Sequence, residues 1–165
     1  MEFRPKIKPE LTSTDRLLEI AGWAMLTFIW IITLFHYRNL PDIIPSHFNV
    51  TGQADGFGPK VSILILPLIG SLAFIGLTIL NHFPQVFNYP VKITAENAAN
   101  QYTMATRMIR YLKLSILVIF SVIVWSSSYA AIHETNSIGI WLLPAMMIVI
   151  FVPLGYYIFK SFQAK

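Results

Sequence analysis

Cysteine is missing from this chain. Its absence excludes disulfide frameworks, thiolate metal sites and cysteine nucleophiles, and leaves the redox compartment open. Charge is scarce too: Asp, Glu, Lys and Arg make up 12% of the 165 residues, against about 25% in an ordinary soluble domain. A surface facing water cannot be built from so few charges, so much of it must face lipid. Nor is there a basic patch. The formal charge is +4, but its carriers are spread along the chain, which argues against nucleic acid as a partner. Acidic residues are lacking at mid-span positions, which argues against a proton-coupled transporter. The chain also lacks an H-E-x-x-H pair, a strained nucleophile elbow and any internal repeat.

What is abundant is apolar, at 55% of residues. Charge-poor runs predict membrane-spanning helices over about residues 17–37, 61–82, 110–132 and 137–159, each near the roughly 20 residues that cross a bilayer core. A charge at a helix centre costs about 2.5–3.5 kcal/mol on insertion scales, so four such runs point to lipid as solvent. The expected fold is an all-α membrane protein. Residues 1–165 form one four-helix transmembrane domain, with an ordered extracytoplasmic loop between the first two helices. The bilayer is its first partner.

The basic leader (Arg4, Lys6, Lys8, Arg16) would suit a signal peptide. The run after it is long and aromatic, however (Trp23, Phe28, Trp30, Phe35), and no small-residue cleavage site follows. We read it as a retained helix with Ser13, Thr14 and Asp15 as candidate caps. Pro67, Pro144 and Pro153 fall inside spans and predict kinks. From Ala95 to Ile132 there is no Pro or Gly. One helix of about 55 Å, capped by Thr94, is therefore expected to project beyond the bilayer. Its Arg107, Arg110 and Lys113 would then meet lipid phosphates at the inner headgroups.

Ten of the twelve Lys and Arg fall in the leader, in the 83–109 segment with the residues just beyond it, and in the tail (Lys160, Lys165). The 38–60 loop holds only Arg38 and Lys60. Because positive residues are retained on the cytoplasmic side, the expected location is the cell (inner) membrane, multi-pass, with both termini cytoplasmic and 38–60 outside.

That outer loop is unlike a passive connector. Pro41 and Pro45 fix the backbone, Gly52, Gly56 and Gly58 permit positive φ, Asp55-Gly56 is a turn signal, and 46–50 suits a short extended segment. The expected result is a compact loop with Leu40, Ile43, Ile44, Phe48 and Phe57 tucked against the helix ends. Asp42, His47, Asp55 and Lys60 remain as its polar groups.

The string Leu40-Pro41-Asp42, Ile44-Pro45, His47-Phe48, Gly52, Asp55-Gly56 and Lys60 resembles the signature of the bacterial membrane family called domain of unknown function 1648. That family is similar to the amino-terminal part of Sdp-type immunity proteins. The resemblance is dense over about twenty residues. It implies binding or protection: the loop (Pro41, Asp42, Pro45, His47, Phe48, Gly52, Asp55, Gly56, Lys60) would meet a toxin peptide outside, and the inner segment would signal to a cytoplasmic regulator.

A different class stays open. His36, His47 and His133 map to the outer face with Asp42, Asp55 and Glu134, and would suit zinc or hydrolytic chemistry if the loop folded back. The plainer reading gives Asp42 and Asp55 to turn caps and His47 to a loop carbonyl. On that reading no cofactor, metal or catalytic residue is expected. A third possibility is a structural subunit of a membrane complex. Asn49-Val50-Thr51 also forms a glycosylation sequon, a pattern common by chance.

Overall fold

The computed structural model describes residues 4–135, 137 and 139–164; Lys165 of the basic tail lies outside them. Helix α1 covers Ser13–Tyr37, and a hairpin of β1 (Ile43–Phe48) and β2 (Ala54–Pro59) follows. A 3-10 turn over Lys60–Leu64 runs into α2 (Ile65–Leu80), then come α3 (Ala98–Ile132) and α4 (Leu142–Gln163). Four helical stretches are long and apolar enough to cross a membrane, the second being Lys60–Leu80. The chain is a multi-pass membrane protein, and among the described residues its one sheet is the small hairpin in the ordered loop.

Capping decides where α1 begins. Thr12, one residue before the expected caps, accepts from the Asp15 amide, and Asp15 reaches back to the Thr12 amide. This reciprocal box satisfies two otherwise unpaired donors. The start of α3 also differs from expectation. Thr94 accepts from the Asn97 amide as a cap would, while Asn97 Oδ1 accepts from the Thr94 amide. Regular helix therefore begins at Ala98 rather than Ala95. At 35 residues, α3 is still about 52 Å long at 1.5 Å per residue. Pro67 and Pro144 prove to sit in the first turns of their helices, where a missing amide is harmless. Only Pro153 is interior.

α3 is the mast on which the others pack. Its contacts with α1 are the most extensive, α2 also lies against both, and α4 packs chiefly on α3 among the described residues. Small residues set the closest approaches. A Cβ at Gly22 would lie 2.7 Å from Phe74 Cε2, and one at Gly70 would lie 3.1 Å from Leu117. Within the helices, Thr33, Thr78 and Ser121 donate to the carbonyl four residues back, which hides each hydroxyl from lipid.

Charge is buried where the helices meet at the end carrying both termini. Arg107 forks onto Asp15 with contacts of 2.8 and 3.1 Å and also donates to Thr12. Glu19 accepts from Arg110 at 2.9 Å and from Lys113 at 2.6 Å. The Lys113 side chain is 0% exposed; it also donates to Thr78 and lies 4.5 Å from the Phe74 ring centroid. The expectation that these three cations face lipid phosphates is therefore corrected. Their partners are carboxylates on α1, and the network joins α1, α2 and α3. A second clasp lies beside it. Arg4 donates to the Gln85 and Phe87 carbonyls, and Tyr102 donates to Pro5, so the leader is strapped under the start of α3. Tyr89, which donates to the Pro84 carbonyl, has its hydroxyl pushed well above the usual phenol range by burial and stays a neutral donor. At the chain's end, Gln101 donates to the Ser161 and Ala164 carbonyls and accepts from the Ser161 hydroxyl.

Removing one member of a buried charge cluster leaves the others uncompensated, at a cost of about 3–5 kcal/mol. Glu19→Gln keeps the side-chain shape and should lower the thermal unfolding midpoint in detergent by an amount of that order. Asp42→Ala, at an exposed ion pair, should cost less than about 1 kcal/mol.

Candidate functional site: the hairpin and the cavity beneath it

The loop between α1 and α2 folds as an antiparallel hairpin, its extended segment longer than the 46–50 expected. Ile43 lies opposite Pro59, Pro45 opposite Phe57, His47 opposite Gly56 and Phe48 opposite Ala54. Register shifts on both sides of His47 leave Ser46 and Asp55 without opposed partners. The turn is not at Asp55-Gly56, which lie within β2, but at 49–53. There Asn49 Oδ1 accepts from the Thr51 amide, the Thr51 hydroxyl and the Gln53 amide. Asn side chains favour such turns because they bond the backbone two residues on. The sequon asparagine is thus the organiser of the turn.

Each residue of the sequence signature now has a place. Asp42 and Lys60 close the neck of the hairpin: the Lys60 amide donates to the Asp42 carbonyl at 2.9 Å, and the side chains pair at 3.0 Å. Asp42 is nonetheless 92% exposed. His47 Nδ1 lies 2.5 Å from Asp55 Oδ1, across the strands. The partner of His47 is therefore a carboxylate, not the loop carbonyl expected. Gly56 faces His47 so closely that a Cβ would lie 3.0 Å from the His47 Cβ. Pro45 is buried, Phe48 half-buried, and Pro41 exposed. Of the apolar residues expected to tuck in, Leu40 and Ile44 do so, whereas Ile43 and Phe57 point outward at 61% and 58% exposure.

The histidines do not converge. His36 packs edge-on against Trp125, and His133 lies over Tyr129. Among the described residues no three of His, Asp and Glu come together as metal ligands, and of Asp42, His47 and Asp55 only the last two meet.

Two features escaped sequence reasoning. The hairpin tip touches the segment leading into α4. Gly52, at φ +78°, approaches so near that a Cβ there would lie 2.6 Å from the Gly139 carbonyl oxygen, and Gln53 bridges Ser137 in antiparallel fashion. Gly52 is the one signature glycine that needs both a positive φ and the lack of a side chain. Beneath the hairpin lies a largely apolar cavity of about 430 Å³, walled by β1, the start of α2, α3 and α4. Its volume falls in the range of ligand pockets, roughly 300–1,000 Å³.

A model of the family described as "Domain of unknown function (DUF1648)" matches residues 24–70. That interval runs from α1 through the hairpin into the first turns of α2. An uncharacterized protein of Archaeoglobus fulgidus is 26% identical over 159 residues, covering 90% of this chain and 87% of its own length. No solved structure matches the chain.

Because the chain lacks cysteine, a Gln53→Cys, Ser137→Cys double variant has no competing thiol. Antiparallel bridge partners have the Cα separation that a disulfide requires. The pair should therefore form an intramolecular disulfide on mild oxidation, scored by gel mobility. Adding Gly52→Ala should abolish most of it.

Proposed function

We propose that the protein receives a membrane-active peptide at the hairpin, outside the cell, and protects the membrane that houses it. The observation that carries this reading is the hairpin's surface. Its polar residues are spent on one another, at the Asp42–Lys60 neck and the His47–Asp55 rung. Beside these paired and still exposed polar groups it offers three apolar side chains outward: Ile43, Phe57 and, at the tip, Val50, which is 75% exposed. Ordered, solvent-facing apolar side chains on a preorganised platform suit recognition of an amphipathic partner, since little entropy is lost on binding.

The resemblance of residues 40–60 to proteins akin to immunity factors supports protection as the biological role. The orientation rests on charge. Arg4, Lys6, Lys8, Arg16, Arg107, Arg110, Lys113 and Lys160 gather at the end opposite the hairpin, which favours a cytoplasmic position for both termini in the cell membrane. The contact of Gly52 and Gln53 with the segment before α4 supplies a route inward. A peptide that displaced the tip would shift α4, whose far end is held by Gln101, and a cytoplasmic regulator would read that change.

The test has two parts. A Gln53→Cys variant in intact cells should react with a membrane-impermeant maleimide. Cells carrying Ile43→Ser, Phe57→Ser, His47→Ala or Lys60→Ala variants should insert normal amounts of protein yet lose resistance to challenge by membrane-permeabilising peptides. Full resistance in all four would remove the hairpin from the mechanism.

A further inference from the structure

We infer that the cavity beneath the hairpin is a lipid site. It takes one acyl chain of a glycerolipid from the leaflet on the hairpin side, and it orients that chain through Ser62 and Ser127. This does not depend on the protective role proposed above.

The argument begins with spacing. Three helical segments each present a pair of lining residues four apart: Ser62 and Leu66, Ile123 and Ser127, Leu142 and Met146. Residues four apart lie one above the other on an α-helix, so the pairs on α3 and α4 form a slot running along the bundle for about 6 Å, with Ser62 of the 3-10 turn and Leu66 of α2 lining its third side. Chain direction then sorts the chemistry. The Lys60–Leu80 stretch runs away from the hairpin and α3 runs toward it, so Ser62 and Ser127 both sit at the hairpin-side level. Leu66, Ile123 and Met146 lie deeper. A slot polar at its rim and apolar below has the polarity profile of a lipid entering its own leaflet.

Depth agrees. Ser127 is five residues before the end of α3, or about 7.5 Å below it, where hydrocarbon gives way to the linkage between chain and glycerol. Ser127 is buried, and neither its hydroxyl nor that of Ser62 has a hydrogen-bond partner among the described residues; the neighbouring Ser128 hydroxyl is likewise buried without one. Other span hydroxyls, such as Thr33 and Ser121, are spent on carbonyls four residues back. These two can donate to the ester or ether oxygen of a lipid.

Entry is from the side. Among the described residues α4 packs chiefly on α3 and at most weakly on α2, so the slot opens between α2 and α4 toward the bilayer, while Gly52 and β1 roof it. Water is a poor occupant, because apolar cavities stay dry.

The test uses the full-length protein in phosphatidylcholine–phosphatidylglycerol vesicles containing a phosphatidylcholine with a diazirine on one chain. After irradiation, adducts are mapped by mass spectrometry. Ile123, Leu66 and Met146 should be labelled several-fold more than Leu34 and Phe35, which face lipid at a similar depth on α1. Leu66→Trp and Met146→Trp, which fill the slot from opposite walls, should each abolish that excess. The Gln53→Cys, Ser137→Cys disulfide should still form in each, reporting an intact fold. Equal labelling at slot and α1 positions, or an excess that survives both fillings, would overturn the inference. So would labelling of the slot by a photoreactive free fatty acid but not by the phospholipid.

Discussion

Everything in this molecule is arranged around the difficulty of keeping charge in a medium that will not solvate it. Glu19 sits between Arg110 and Lys113, and Asp15 receives Arg107 along two bonds. Few contacts in the protein involve such unfavourable groups, and few are so tightly specified. Apolar faces in lipid slide past one another at little cost, because neighbouring acyl chains are as apolar as leucine. A carboxylate between two cations has one position. The cluster therefore fixes the rotation and height of α1 against α3, and through Thr78 it fixes α2 as well. The hairpin at the other end inherits its placement from that register.

The hairpin follows the same logic on a smaller scale. Two strands alone are marginal in water. This pair is held by a neck bond and a neck ion pair, by the His47–Asp55 rung, by Asn49 organising the turn, and by Leu40 and Ile44 sunk into the helix ends. Most of the signature is thereby explained as the requirements of a fold. The residues left pointing outward are the ones a partner would meet.

Much of this was legible in the residues. Four charge-poor runs gave four spans, because length and the absence of charge are read against a fixed bilayer thickness. The long α3 followed from the lack of Pro and Gly after Thr94, within three residues of the observed start. Ion-pair partners were not legible. Arg107 to Asp15 spans 92 residues of sequence, and nothing local distinguishes a cation facing phosphate from one facing a carboxylate on another helix. The turn was misplaced for a related reason. Asp55-Gly56 is a strong local signal, yet Gly56 is required by the bulk of His47 across the strands, a demand visible only once the strands are paired. The cavity was invisible for the same cause: its three residue pairs come from segments far apart in the chain.

The attachment of α4 has a consequence for how the bundle is built. The first three helices share a charged knot and interdigitate at Gly22 and Gly70, so they can settle as a kernel without the fourth. α4 buries little beyond Ser161 and is fastened mainly at its two ends, by Gln101 and by the hairpin tip. It is the natural last arrival during synthesis and the first element to part under mechanical or thermal load. In between it behaves as a hinged door whose jamb is finished before the door is hung.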